Sequence, residues 1–236
     1  MSGFEALIED VRHALQEPSA APTHTHGADG VAASADKSDL TARFVQELEK
    51  VSARCFSAYA EVAAWEQVAK VAVGPLPVWQ QRVRIADTRP VAVADGITID
   101  AEKLRKQLES RGISTFRPGL TAEIDRSEFQ RRLAKCGVGV VEADYAIAST
   151  GTLVVTATAA RPRSFSLVPE VSVVLVRRNR VVIDLATSLS MLGAERVRNS
   201  PVVLITGPSR TADIEKRIVL GVHGPRDLLV ILLPPQ

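Results

Sequence analysis

The run Leu228-Leu229-Val230-Ile231-Leu232-Leu233 constrains the fold more than any other stretch. It is apolar at every position and lacks the in–out alternation of a strand with one wet face. A strand of this kind is covered on both sides, as in a parallel sheet wrapped by helices. Further β-rich runs precede it, at Ile147, Leu153 to Val155, Val171 to Val176, Val181 to Leu185 and Val202 to Ile205. The earlier part of the chain alternates helical and extended patterns. Phe44, Val45, Leu48 and Val51 mark a helix capped at Asp39 or Thr41, and Ala60 to Lys70 reads as the next. Val71 to Val73 reads as a short strand stopped by Gly74-Pro75, and Val91 to Ala94 as another strand. A helix follows over Ala101 to Arg111 with Gly112 at its end, then a strand from Ile113 to Phe116 and a helix from Asp125 to Cys136. Helices alternating with short strands predict an α/β domain with a mostly parallel sheet.

The chain begins differently. Phe4, Leu7, Ile8, Val11 and Leu15 recur at helical spacing, which predicts an N-terminal helix over residues 1–17. Residues 18–38 contain one large aliphatic residue, Val31, and cannot bury enough surface to offset the entropy of ordering. They read as a flexible linker, and residues 39–236 as the folded domain. No internal repeat is evident.

Composition excludes several classes. Aromatic residues make up 4% of the chain, too few for a base-stacking surface, and a net charge of +2 gives no large field of one sign. Nucleic acid is therefore not an expected partner. Cys55 and Cys136 lie 81 positions apart, without a Cys or His at ligand spacing beside either. No metal site, disulfide framework or cluster held by this chain alone is expected. No apolar run is long enough to span a bilayer, and no signal peptide is recognisable, so the expected location is the cytoplasm.

Three clusters can carry chemistry. In the first, Val202 to Ile205 runs into Gly207-Pro208-Ser209-Arg210-Thr211-Ala212-Asp213-Ile214-Glu215. A strand that ends in a turn and opens a helix presents free N–H groups, and with Ser209, Thr211 and Arg210 these can hold a phosphate or carboxylate. It is neither a Walker loop nor a dinucleotide fingerprint, and Glu215 is one residue too far from Thr211 for a capping box. A plain cap and turn, with Asp213 on the helix dipole, is the alternative. In the second, Gly221-Val222-His223-Gly224-Pro225 holds the only histidine of the expected folded domain, either an acid–base group or a donor that fixes the loop. The third runs from Glu142 and Asp144 to the turn Thr150-Gly151-Thr152. Its carboxylates are acid–base candidates if buried beside a substrate, along with Glu215 and His223, and its hydroxyls suit an anion. Solvated acids at an element boundary are the alternative. Arg177-Arg178-Asn179-Arg180 reads as a hairpin tip, its arginines a solvated turn or, less simply, a basic contact for an acidic partner.

These strings, with Arg163 to Pro169, follow in the same order as in the lactate utilization protein C family, whose members carry the LUD domain. The chain resembles that family most closely over residues 137–233. The resemblance implies a three-layer α/β fold with a mostly parallel sheet, like that of the NagB/RpiA/CoA-transferase group. It implies a role in oxidising L-lactate to pyruvate alongside A- and B-type partner proteins that carry iron–sulfur clusters. It gives this chain no cofactor of its own and no assigned catalytic residue. The implied role is accessory or ligand-binding. The alternative is a small-molecule enzyme or sensor for a phosphorylated or carboxylated ligand, using Arg210, His223 and the turns around Thr150, Gly151, Thr152, Gly207 and Gly224.

Overall fold

A computed structural model describes residues 37–73, 89–117, 125–212, 218–220 and 224–235. The expected N-terminal helix, nearly all of the linker and the Pro75–Trp79 connection lie outside these residues. The described chain runs α1 (Lys37–Lys50), β1 (Arg54–Ser57), α2 (Glu61–Val73), β2 (Val91–Val93), α3 (Ala101–Glu109), β3 (Thr115–Phe116) and α4 (Arg126–Ala134). It continues through β4 (Val138–Glu142), β5 (Tyr145–Ile147), β6 (Thr152–Thr156), α5 (Ser164–Leu167) and β7 (Val171–Arg177). A single 3-10 turn (Arg178–Arg180) leads to β8 (Val181–Val182), α6 (Leu185–Leu192), α7 (Ala194–Asn199) and β9 (Val202–Ile205). The last elements are β10 (Arg210–Ala212), β11 (Ile218–Leu220) and β12 (Asp227–Leu233).

Six strands form a parallel sheet in the order β1-β12-β7-β4-β2-β3. Its central strands are buried on both faces, as the unbroken apolar run of β12 requires. The two faces feed separate cores. Leu229, Ile231 and Leu233 of β12 join Val171, Val173 and Leu175 of β7 against Ala64 and Val68 of α2 and Leu104 and Leu108 of α3. Leu228, Val230 and Leu232 join Val174 and Val176 on the other face. There they meet Phe44 and Leu48 of α1, Phe129 and Leu133 of α4, and Phe165 of α5. The second face is also covered by a smaller sheet, order β8-β5-β6-β9, through Ala146, Leu153, Val155 and Val181. Local chemistry fixes several helix starts. Asp100 accepts from the Lys103 N–H at 2.9 Å, Asp125 from Glu128 at 2.8 Å and Asp184 from Thr187 at 2.7 Å.

The structure corrects four sequence expectations. Val71 to Val73 complete α2 and do not form a strand, because that helix buries Val68 and Ala69 and carries on past them. The strand of this part of the chain precedes that helix: β1 is short, has exposed ends and carries little periodic signal. Val181 to Leu185 yields a strand of two residues, since Asp184 caps a helix that begins at Leu185. Gly207-Pro208-Ser209 opens onto β10, paired antiparallel with β11, where a helix was expected. Arg177 to Arg180 is not a hairpin tip. β7 pairs with β4 and β12 in the large sheet, whereas β8 pairs with β5 in the small one. The arginine run is the crossing between sheets.

That crossing has a twin. β4 ends at Glu142, and the chain re-enters the small sheet at Tyr145 as β5. β4 lies beside β7, and β5 beside β8. Two neighbouring strands therefore leave one sheet for the other at the same edge, and the space where they diverge is a cleft.

Candidate functional site

The cleft lies at the carboxyl ends of β2, β4 and β7, the edge at which open α/β sheets bind their ligands. It encloses about 170 Å³. Glu142, Asp144 and Tyr145 come from the first crossing and Arg177 and Arg180 from the second. Gly96 and Thr98 follow β2, Arg161 follows β6, and Arg196 reaches in from α7. Four arginines thus face two carboxylates.

The arginines divide into two kinds. Arg161 is 7% exposed and wholly engaged. Its Nε donates to the Thr156 carbonyl at 3.1 Å and its Nη1 to the Glu142 carbonyl at 2.6 Å. Its Nη2 donates to both carboxylate oxygens of Asp144, at 2.9 and 3.0 Å. Arg177, also 7% exposed, donates from Nε to Thr98 Oγ1 at 2.8 Å and from Nη1 to the Pro234 carbonyl at 3.2 Å. Arg180 and Arg196 are exposed. Arg180 lies over the Tyr145 ring, 5.6 Å from its centroid, and donates to the phenol oxygen at 3.2 Å. Arg196 donates to Asp144 Oδ1 at 2.8 Å. Each of these two makes one hydrogen bond among the described residues and keeps further N–H groups, five per guanidinium, for a ligand.

Glu142 is buried at 5% exposure and held by Thr98, whose backbone N–H and hydroxyl both donate to it, the hydroxyl at 2.7 Å. Burial pushes its pKa above the ordinary carboxylate range, against the opposing pull of the Thr98 hydrogen bonds and of Arg177 and Arg161. A carboxyl so placed can hold or accept a proton beside a bound anion.

The expected hydroxyl turns lie elsewhere. Asp144 sits at the open end of the β5–β6 hairpin, where its carboxylate accepts from Thr156 N–H at 2.6 Å, whereas Thr150, Gly151 and Thr152 form the closed end. The structure therefore does not bring the carboxylates and the Thr-Gly-Thr turn together. It does bring that turn to the Gly207 turn. Thr150 and Thr152 hydroxyls lie 2.7 Å apart, and Thr152 and Thr206 hydroxyls 2.8 Å apart. Both turns press on the end of α1. Gly151 has φ +64°, and a Cβ there would stand 2.5 Å from Leu48 N; Gly207 has φ +83°, and a Cβ would stand 2.7 Å from the Val51 carbonyl oxygen. Only glycine meets both conditions at low cost.

Arg210 donates to that same Val51 carbonyl at 3.0 Å, Ser209 N–H donates to the Pro225 carbonyl at 2.8 Å, and Gly224 lies against the Ser209 side chain. The backbone of Thr211 belongs to β10. Asp213, Glu215 and His223 fall outside the described residues. The end of a helix carries exposed carbonyls and partial negative charge, so the Gly207 turn faces a surface that favours a cation, here Arg210 itself.

Neither cysteine offers a reactive thiolate, since burial pushes Cys55 up to about 11 and Cys136 up to about 12. Among the described residues no three His, Cys, Asp or Glu side chains stand close enough to hold a metal ion, and no helix is long and apolar enough to cross a membrane. Sequence reasoning reached Glu142 and Asp144 but missed Thr98, Tyr145, Arg161 and Arg196, and it set Arg177 and Arg180 aside as a turn. The one available signal was the arginine run between two Val-rich segments.

Residues 35–233 match the LUD domain family. The chain belongs to that family. Among similar proteins, Lactate utilization protein C of Macrococcus caseolyticus is 37% identical over 95 residues, 39% of this chain and 41% of that protein. Lactate utilization protein C of Bacillus pumilus is 31% identical over 120 residues, 49% of this chain and 50% of that protein. The uncharacterized protein YkgG of Escherichia coli is 39% identical over 100 residues, covering 41% and 43%. The matched stretches thus span about half or less of these relatives. A crystal structure of a DUF162 family protein from Deinococcus radiodurans shares the fold, with a TM-score of 0.58 at 21% identity over 84% of this chain and 98% of that one.

Proposed function

We propose that this LUD protein serves an L-lactate utilization system and contributes a binding site for a small carboxylate at the carboxyl-edge cleft. In this reading lactate is oxidised to pyruvate with iron–sulfur partner proteins of the A and B types, which take the electrons, and this chain has the accessory or ligand-binding part. The observation that carries the reading is the pair Arg180 and Arg196, exposed guanidinium groups with spare donors on a cleft of four arginines and two carboxylates. Arginine forks match the planar geometry of a carboxylate. The relatives named for lactate utilization supply the context.

A second reading, a small-molecule enzyme or sensor outside lactate metabolism, is favoured by Glu142, a buried carboxyl with a raised pKa that suits proton exchange. Deleting the gene and capturing the tagged protein from lactate-grown cells separates the two. The first reading expects loss of growth on L-lactate and co-capture of iron–sulfur proteins. Unimpaired growth with no such proteins captured would contradict it.

A further inference from the structure

We infer that a second site, the groove between α1 and the β1 edge of the large sheet, binds an aliphatic monocarboxylic acid, its carboxylate on Arg178 and its tail along α1. This groove lies on the other flank of the arginine crossing, and the inference does not depend on what the cleft binds.

Three features carry it. The first is position. The 3-10 turn after β7 divides its side chains: Arg177 and Arg180 line the cleft, whereas Arg178 and Asn179 line the groove. Ser57 at the end of β1 and Leu232 near the end of β12 line it too. From this edge β1 leads to α2 on one face of the sheet, and β7 leads to β8 on the other. Open α/β sheets bind ligands where connections part in this way.

The second is size and lining. The groove encloses about 750 Å³, within the range of pockets for small organic ligands. Ala42 and Val45, three apart on one face of α1, line it with Leu232 and Pro235. A tail laid along them gains about fourfold in affinity for each methylene taken out of water.

The third is charge. The Arg178 side chain makes no hydrogen bond or ion pair among the described residues. Its guanidinium lies 5.3 Å from the centroid of the exposed Tyr59 ring, a contact that positions it and leaves its N–H donors open. No carboxylate lines the groove, and burial keeps Cys55 beside it a neutral thiol, pushed up to about 11. Asn179 also makes no side-chain hydrogen bond among the described residues, its Oδ1 being buried without a partner, so its amide can turn an N–H to the same head group. One uncompensated cation matches one negative charge, and its fork matches a carboxylate. A neutral alcohol leaves Arg178 unused, a phosphate monoester brings a second charge that nothing meets, and a short acid leaves the apolar lining wet.

The test is calorimetric titration of the full chain with octanoate, octanol, propionate and octyl phosphate, each as monomer. Octanoate is expected to bind about tenfold more tightly than octanol, the worth of a hydrogen bond to a charged group, and more than about a hundredfold more tightly than propionate. Arg178→Gln is expected to erase the preference over octanol. Ala42→Trp, at an exposed position of α1, is expected to fill the groove and abolish octanoate binding with the melting temperature kept. The Arg180→Gln/Arg196→Gln variant is expected to bind octanoate as the wild type does. Equal binding of octanoate and octanol, or a preference untouched in Arg178→Gln, overturns the head-group assignment. Tighter binding of octyl phosphate overturns the monoanion class. No binding of octanoate, or binding unchanged in a folded Ala42→Trp, overturns the site. Loss of octanoate in the Arg180→Gln/Arg196→Gln variant places the acid in the cleft and overturns the inference while the reading of the cleft stands. If Ala42→Trp fails to fold, the ligand series on the wild type and Arg178→Gln decides.

Discussion

Glu142 holds its place against two opposing demands. Removal from water favours the neutral carboxyl, while Thr98 and the nearby Arg177 and Arg161 favour the charged one, and burial prevails, so its pKa is raised. A carboxyl whose folded pKa exceeds its unfolded one binds a proton more readily in the native state. Its stabilising contribution is full below the unfolded pKa and is lost as pH rises through the folded one, at about 1.4 kcal/mol per unit of separation. Glu142→Gln removes that titration and keeps an oxygen to accept from Thr98. The variant's melting temperature is therefore expected to gain on the wild type as pH rises from the acid range through the folded pKa, then to level off. Thermal unfolding across that range checks this, and a difference that stays flat or narrows as pH rises would contradict it. Glu142 was visible in the sequence as a carboxylate before a turn. That it is buried was not, because burial there comes from Thr98 and from neighbouring strands far away in sequence.

Among the elements, the crossing β4–β5 depends on Arg161. One side chain ties the end of β4, through the Glu142 carbonyl, to the end of β6, through the Thr156 carbonyl, and neutralises Asp144 between them. Arg161→Ala leaves a largely buried carboxylate with one fewer partner and two carbonyls without this donor. The expected loss is about 3 kcal/mol or more, and Arg161→Lys restores little of it because lysine lacks the fork. Denaturant unfolding of both variants measures this; a cost under about 1 kcal/mol for Arg161→Ala would mean the β4–β5 crossing holds without it. The strands themselves were legible. β7 and β12 are apolar on both faces because helices cover one side and helices with a second sheet the other. Which sheet each strand joins was not legible, since β8 and β7 are separated by three residues and share no hydrogen-bonded partner. That one ambiguity turned a cleft wall into an apparent hairpin tip.

For the whole molecule, the parallel sheet aligns strand ends and so gathers side chains from residues 96 to 196 onto one edge. The sequence carried the fold class in its alternating elements and unbroken apolar runs. It carried the two carboxylates of the site, but pointed to glycine-rich turns for the rest, because a turn required by close packing on α1 reads the same as one that binds an anion. In the proposed function, the carboxyl-edge cleft serves lactate utilization. The most direct measurement is growth on L-lactate of a strain lacking the gene and carrying either the wild type, the Arg180→Gln/Arg196→Gln variant, or Arg198→Gln, which removes a charge from the same helix outside the cleft lining. At equal protein levels, growth is expected with the wild type and Arg198→Gln and lost with the double variant. Full growth with the double variant would contradict the claim.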